Sequence, residues 1–91
     1  MTSAENQIEH FAKKLAWRRV DDEIVILNLE TSVYFSLDEI GSAIWEMIHQ
    51  KKSEHEIVES LAKKYSSTED IIRKDVQNLI KQLKKEKLLL A

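Results

Sequence analysis

The sequence predicts an α+β domain in which a three-stranded antiparallel sheet precedes three helices. Three observations carry that reading. Between Leu15 and Leu37, β-branched and aromatic residues gather in short runs with a period near two. From Leu37 onward, apolar residues return at the spacing of a helix face. Finally, a hydroxyl residue followed three positions later by an acid occurs at Ser36…Glu39, Ser53…Glu56 and Ser66…Glu69, the pattern of a capping box at a helix start.

Met1 to Glu5 reads as a loose tail, and Ile8, Phe11, Ala12 and Leu15 have the spacing of a short amphipathic helix that would otherwise lead straight into a strand. Residues 1–14 are therefore expected as a tail or short helix, and residues 15–91 as the domain. Leu15 to Val20 alternates loosely and ends at the turn signal "DDE". Glu23 to Glu30, "EIVILNLE", reads as a central strand. Thr31 to Leu37 alternates, with Val33, Phe35 and Leu37 on one side and Ser32, Tyr34 and Ser36 on the other. The turn at Glu30-Thr31-Ser32 lacks the glycine or asparagine that tight hairpins favour.

The helical stripes follow. The first holds Ile40, Ile44, Met47 and Ile48; the second Ile57, Val58, Leu61, Ala62 and Tyr65; the third Ile72, Val76, Leu79, Ile80 and Leu83. "KKEK" from Lys84 suits the negative end of a helix dipole. Gly41 and Trp45 share a helix face, so the glycine admits a close neighbour while the tryptophan fills the core beside it. In the third helix, Ile72, Val76, Leu79 and Leu83 form the narrow core stripe, and Ile80 widens it toward Arg73, Gln77 and Lys84.

Composition excludes several functions. With 91 residues there is room for one small domain. Fourteen Lys and Arg against 16 Asp and Glu leave a net charge of −2, which gives no general reason to bind nucleic acid. No cysteine is present, so disulfides, thiolate metal sites and thiol nucleophiles are excluded. His10, His49 and His55 are not paired at helical spacing, which argues against a metal. No glycine-rich phosphate loop or nucleophile motif occurs, and the expectation is no enzyme and no cofactor. The polar N-terminus does not resemble a signal peptide, and the aliphatic runs Ile24–Leu27 and Leu88–Ala91 are too short to span a bilayer, so a cytoplasmic protein without membrane contact is expected.

What remains is a surface. In a simple meander the third strand is an edge, and here it carries Tyr34 and Phe35 without a lysine or proline to blunt it. Beside an apolar helix face, such an edge suits β-augmentation, in which an extended peptide adds a strand and places alternate side chains in pockets. The same edge also admits a second copy of the chain, as a homodimer.

The run "VILNLETSVYFSLDEIGSAIWEMI" resembles the PqqD-like family, the peptide-binding domains called RiPP recognition elements. The resemblance lies in the aromatic strand, then Leu37-Asp38-Glu39, then Gly41 with Ile44-Trp45, and it extends roughly from Trp17 to Leu88. Ser32 departs from the pattern, since such sequences often have glycine there, and the N-terminal segment exceeds the minimal domain. The resemblance implies a winged-helix-like arrangement. It also implies that the leader of a ribosomally made precursor peptide docks antiparallel to the third strand, in a groove bounded by the third helix. On the strand the implied contacts are Val33, Tyr34, Phe35 and Ser36; on the helix they are Arg73, Val76, Gln77, Ile80, Leu83 and Lys84. The implied partner is a separate maturation enzyme, such as a radical SAM enzyme or a peptidase-cyclase system. The alternative function is a winged-helix DNA-binding domain, with Arg73, Lys74, Lys81, Lys84 and Lys85 on phosphate.

Overall fold

The computed structural model describes residues 14–89. Strands β1 (Leu15–Val20), β2 (Glu23–Asn28) and β3 (Tyr34–Leu37) precede helices α1 (Glu39–His49), α2 (Glu54–Lys64) and α3 (Glu69–Lys85). The sheet is antiparallel in the order β1-β2-β3, so β1 and β3 are its edges. The α+β order expected from the sequence is the observed one. The short helix expected around Ile8 to Ala12 lies outside the described residues, and Leu15 opens β1.

Alternation decides the faces. Ile24 and Ile26 of β2 are fully buried and turn toward the helices, whereas Val25 and Leu27 face outward and are half-buried. Ile44, Trp45 and Ile48 of α1, Ile57, Val58 and Leu61 of α2, and Ile72, Val76 and Leu83 of α3 complete one core. Leu88 and Leu89, just past α3, also belong to it. Lys87 adopts φ 62° and lets the chain turn back, so that the amides of Leu88 and Leu89 both donate to the Leu83 carbonyl. No periodicity argument had assigned these two leucines to the core. On the β1 side, Trp17 packs edge-on against Trp45 with ring centroids 6.0 Å apart, and His49 lies against both rings. Burial there pushes the His49 imidazole below its ordinary pKa.

Each strand-to-strand turn carries a left-handed residue. Asp21 (φ 57°) joins β1 to β2, and Ser32 (φ 63°) stands between β2 and β3. Ser32 is the position where the resemblance led one to expect glycine, and the backbone there has the conformation glycine favours. Asn28 supplies the compensation: its side-chain carbonyl accepts from the amides of Glu30 and Thr31, and its backbone carbonyl accepts from Ser32. This turn occupies residues expected in strands, so β2 ends at Asn28 and β3 begins only at Tyr34.

Two of the three expected capping boxes are displaced. Ser53 and Glu56 form one as expected, with the Glu56 amide donating to the Ser53 hydroxyl and the Ser53 amide to the Glu56 carboxylate. Ser36, however, is paired with Val25 inside the sheet, and α1 is capped by Asp38, whose carboxylate accepts from the Gly41 amide at 2.8 Å. Ser66 belongs to the end of α2, at φ 51°, and α3 is capped by Thr68 through the Ile71 amide.

The register also fixes which backbone groups of β3 are free. The Asn28 amide donates to the Val33 carbonyl, so these two residues occupy a hydrogen-bonded position of the ladder. Bonded and non-bonded pairs alternate. Ile26–Phe35 and Ile24–Leu37 are then bonded pairs, while Leu27–Tyr34 and Val25–Ser36 are not. Phe35 and Leu37 turn their N–H and C=O groups toward β2. Tyr34 and Ser36 turn theirs to the open edge.

Two outcomes follow for stability, both measurable by urea unfolding. Thr68→Ala should cost about 0.5–2 kcal/mol, the value of an N-cap, whereas Ser66→Gly, which suits the backbone at that position, should be neutral or stabilising; equal losses would contradict the observed caps. Phe35→Pro should cost about 1–3 kcal/mol beyond Phe35→Ala, because it strands a ladder acceptor. Tyr34→Pro and Ser36→Pro should remain within about 1 kcal/mol of their alanine counterparts, since an edge strand tolerates proline where its N–H faces solvent.

Candidate docking groove beside β3

Near each end of β3 lies a cavity partly lined by α3. At one end, Val33 and Phe35 line a cavity of about 230 Å³ with Lys85, Glu86, Lys87 and Leu88. Near the other end, Asp38, one residue past β3, lines a second cavity of about 300 Å³ with Ile40, Ile44, Asp75, Leu79 and Gln82. Residues 75–82 of α3 thus accompany the C-terminal end of β3, and residues 85–88 its N-terminal end. The helix and the strand run antiparallel, and together they bound a groove with a pocket near each end.

The strand residues divide by face. Tyr34 is 70 % exposed on the outer face of the sheet, and Ser36 is exposed beside it. Phe35 is half-buried on the helix side, packed against the core, and Val33 is exposed at the rim. The alternation expected from Thr31 to Leu37 holds for Tyr34 through Leu37, and Val33, though exposed, lines the same cavity as Phe35.

The helix residues expected at this site differ in placement. Val76 and Leu83 are fully buried and serve the core. Gln77 turns to α2, where its amide donates to the Glu54 carboxylate at 3.0 Å. Arg73 is held by Glu69 and Asp70 of its own helix at 3.8 and 3.9 Å. Ile80 and Lys84 are half-buried. At 100° per residue they share the Gln77 flank of α3, opposite Asp75, Gln82 and Glu86. Ile80 packs against the core, as does Leu79, which was expected inside the narrow stripe and instead also lines the larger cavity. Asp75, Leu79, Gln82, Lys85 and Glu86 thus form the flank beside β3. The stripe's width was legible in the sequence; which flank meets α2 and which meets β3 is a tertiary fact.

No chemistry-bearing cluster accompanies the groove. Among the described residues no group of three or more His, Asp or Glu side chains is placed to hold a metal ion. The Glu56 carboxyl is held below its ordinary pKa because it accepts from the Ser53 amide, a capping role. The Tyr65 hydroxyl, raised by burial and by its bond to Glu39, ties the end of α2 to the start of α1. No helix among the described residues is long and apolar enough to cross a membrane.

Known structures share this fold. TbiB1, solved in complex with the TbiA(beta) leader peptide, is 30% identical and superposes with a TM-score of 0.85 over 90% of this chain and 95% of its own. Lasso peptide synthetase B1, solved with the leader peptide, superposes with a TM-score of 0.87 over 92% of this chain and 99% of its own; at 17% identity the likeness concerns the fold alone. No curated protein matches the sequence. The sequence model of the family described as coenzyme PQQ synthesis protein D matches residues 23–89, which span β2 to the buried leucines after α3, and the chain belongs to the PqqD family.

Proposed function

We propose that this protein is a non-catalytic peptide-binding domain that docks the leader of a ribosomally made precursor and presents it to a separate maturation enzyme. The leader adds as a fourth strand, antiparallel to β3, with its side chains in the groove beside α3. The observation that carries this reading is the unpaired backbone of Tyr34 and Ser36 beside a two-pocket groove. The leader-bound state of the 30%-identical neighbour, TbiB1, supports it.

Energetics show why both edge and pockets are needed. Tyr34 and Ser36 each offer one N–H and one C=O, so strand addition makes about four bonds, worth roughly 1 kcal/mol each. Ordering a disordered peptide costs roughly 2–5 kcal/mol. Backbone pairing therefore little more than offsets the ordering cost. A micromolar complex needs about 8 kcal/mol, and most of that falls to apolar anchors in the pockets. Val33, Phe35 and Leu88 supply the apolar wall at one end, Ile40, Ile44 and Leu79 at the other. Tethering to the maturation enzyme raises the effective concentration further.

The competing function, DNA binding through Arg73, Lys74, Lys81, Lys84 and Lys85, differs in its salt response. The test is to titrate a fluorescently labelled leader from any precursor peptide encoded near this gene, and then a labelled DNA duplex, at low and moderate salt. Leader binding that changes little with salt, with DNA binding absent or weak, is the expected result. Tight DNA binding that weakens steeply with salt, with no binding of leader, would overturn the proposal.

A further inference from the structure

We propose that the cavity between α1 and α3 is a subsite for a cationic side chain, lysine or arginine, on the N-terminal flank of the docked leader. The inference rests on strand addition at β3. It adds that the groove reads the order of charge along the peptide as well as its apolar anchors.

The direction follows from the topology. A peptide antiparallel to β3 runs parallel to α3, so its first docked residues pass Asp38 and Asp75 and its later ones pass Val33 and Lys85. The two ends of the groove differ in charge. The cavity at the first end has an apolar floor of Ile40, Ile44 and Leu79 and two carboxylates at its rim, Asp38 and Asp75, and no Lys or Arg lines it. The other end carries Lys85 and Lys87 against Glu86. A long side chain with an apolar stem and a cationic head fits the first end: its methylenes lie on the floor and its head reaches the rim.

Several acids outside this cavity are already engaged. Arg19 meets Glu46 at 2.8 Å, Gln77 meets Glu54, Ser53 meets Glu56, and Arg73 meets Glu69 and Asp70. Asp75 is exposed and no hydrogen bond or ion pair engages it among the described residues. Asp38 commits one oxygen to the Gly41 amide. The positive end of the α1 dipole, about half a charge, also lies here. The full charge on Asp38 outweighs it, and Asp75 adds to the negative field. Two carboxylates without a third ligand do not make a metal site, which agrees with the absence of a metal-binding group among the described residues.

The test uses the full chain and a displayed library of random peptides about 12 residues long, roughly 40 Å when extended. Peptides are selected on the wild-type protein and re-measured on Tyr34→Pro, Asp75→Asn and Asp38→Asn; asparagine preserves the α1 cap. Selected peptides should lose binding to Tyr34→Pro and should carry lysine or arginine on the N-terminal side of their apolar anchor. Replacing that residue with glutamine should raise Kd about two- to fivefold, the range of a partly exposed ion pair. The effect should vanish in the Asp38→Asn/Asp75→Asn double variant and shrink at high salt. Peptides that need the Tyr34 edge but show no such basic preference, or no coupling to the two aspartates, would overturn the subsite and leave strand addition standing. Failure to select any peptide, or equal binding to a folded Tyr34→Pro protein, would overturn strand addition and the subsite with it.

Discussion

Leu37 and Gly41 touch across the shortest junction in the chain, and the rest of the structure is arranged around that contact. A Cβ on Gly41 would lie 3.4 Å from the Leu37 Cβ and 3.2 Å from the Asp38 carboxylate. A single residue, Asp38, separates β3 from α1, and a methyl on Gly41 would press on the capping Asp38 carboxylate at this close junction. Asp38 closes the first turn through the Gly41 amide, and the buried Ser42 hydroxyl donates to the Leu37 carbonyl at 3.1 Å. Glycine costs about 1 kcal/mol in a helix interior, and what offsets it is the position it gives to the next turn. Ile44, Trp45 and Ile48 then join Ile24 and Ile26 in one core. The strand-into-helix stretch, which carries no catalytic group, thereby aims a helix across one face of the sheet and fixes the end of β3.

The two edges of the sheet are consequently unlike. The β1 edge carries Arg18 and Arg19, with Arg19 tied to Glu46 of α1, and charge of this kind discourages pairing with another strand. The β3 edge is four residues long, has no lysine or proline, and stands beside the flank of α3. It is short enough to limit indiscriminate association, and in the proposed docking the pockets near its ends would add side-chain requirements to backbone pairing. The same division of labour, in which backbone gives direction and pockets give identity, underlies peptide recognition by strand addition in general.

Strand order, helix order and most of the core were legible in the sequence because they depend on period alone. Ile57, Val58, Leu61, Ile72 and Val76 fall where helical spacing puts them, and Ile24 and Ile26 lie on the strand read as central. The misplaced caps have a local cause: Ser36 and Ser66 match the spacing of a capping box, but the sheet claims one and the end of α2 claims the other. The parity of β3 was not legible because it depends on the geometry of the Asn28–Ser32 turn, which has no glycine to announce it. The groove flank of α3 was not legible either. Ile80 and Leu79 both widen the stripe, on opposite sides, and only the packing of α2 through Gln77 and Glu54 decides which side is closed. Leu88 and Leu89 escaped because they follow a helix stop and obey no period.

The central claim is that the outward amides of Tyr34 and Ser36 receive a fourth strand. Residue-resolved amide hydrogen exchange, with and without saturating leader, tests it most directly. In the free protein the Phe35 and Leu37 amides should be protected by β2 and those of Tyr34 and Ser36 should exchange quickly. Addition of leader should slow Tyr34 and Ser36 selectively. Leader that binds and leaves both amides exchanging at their free rates would contradict strand addition at β3.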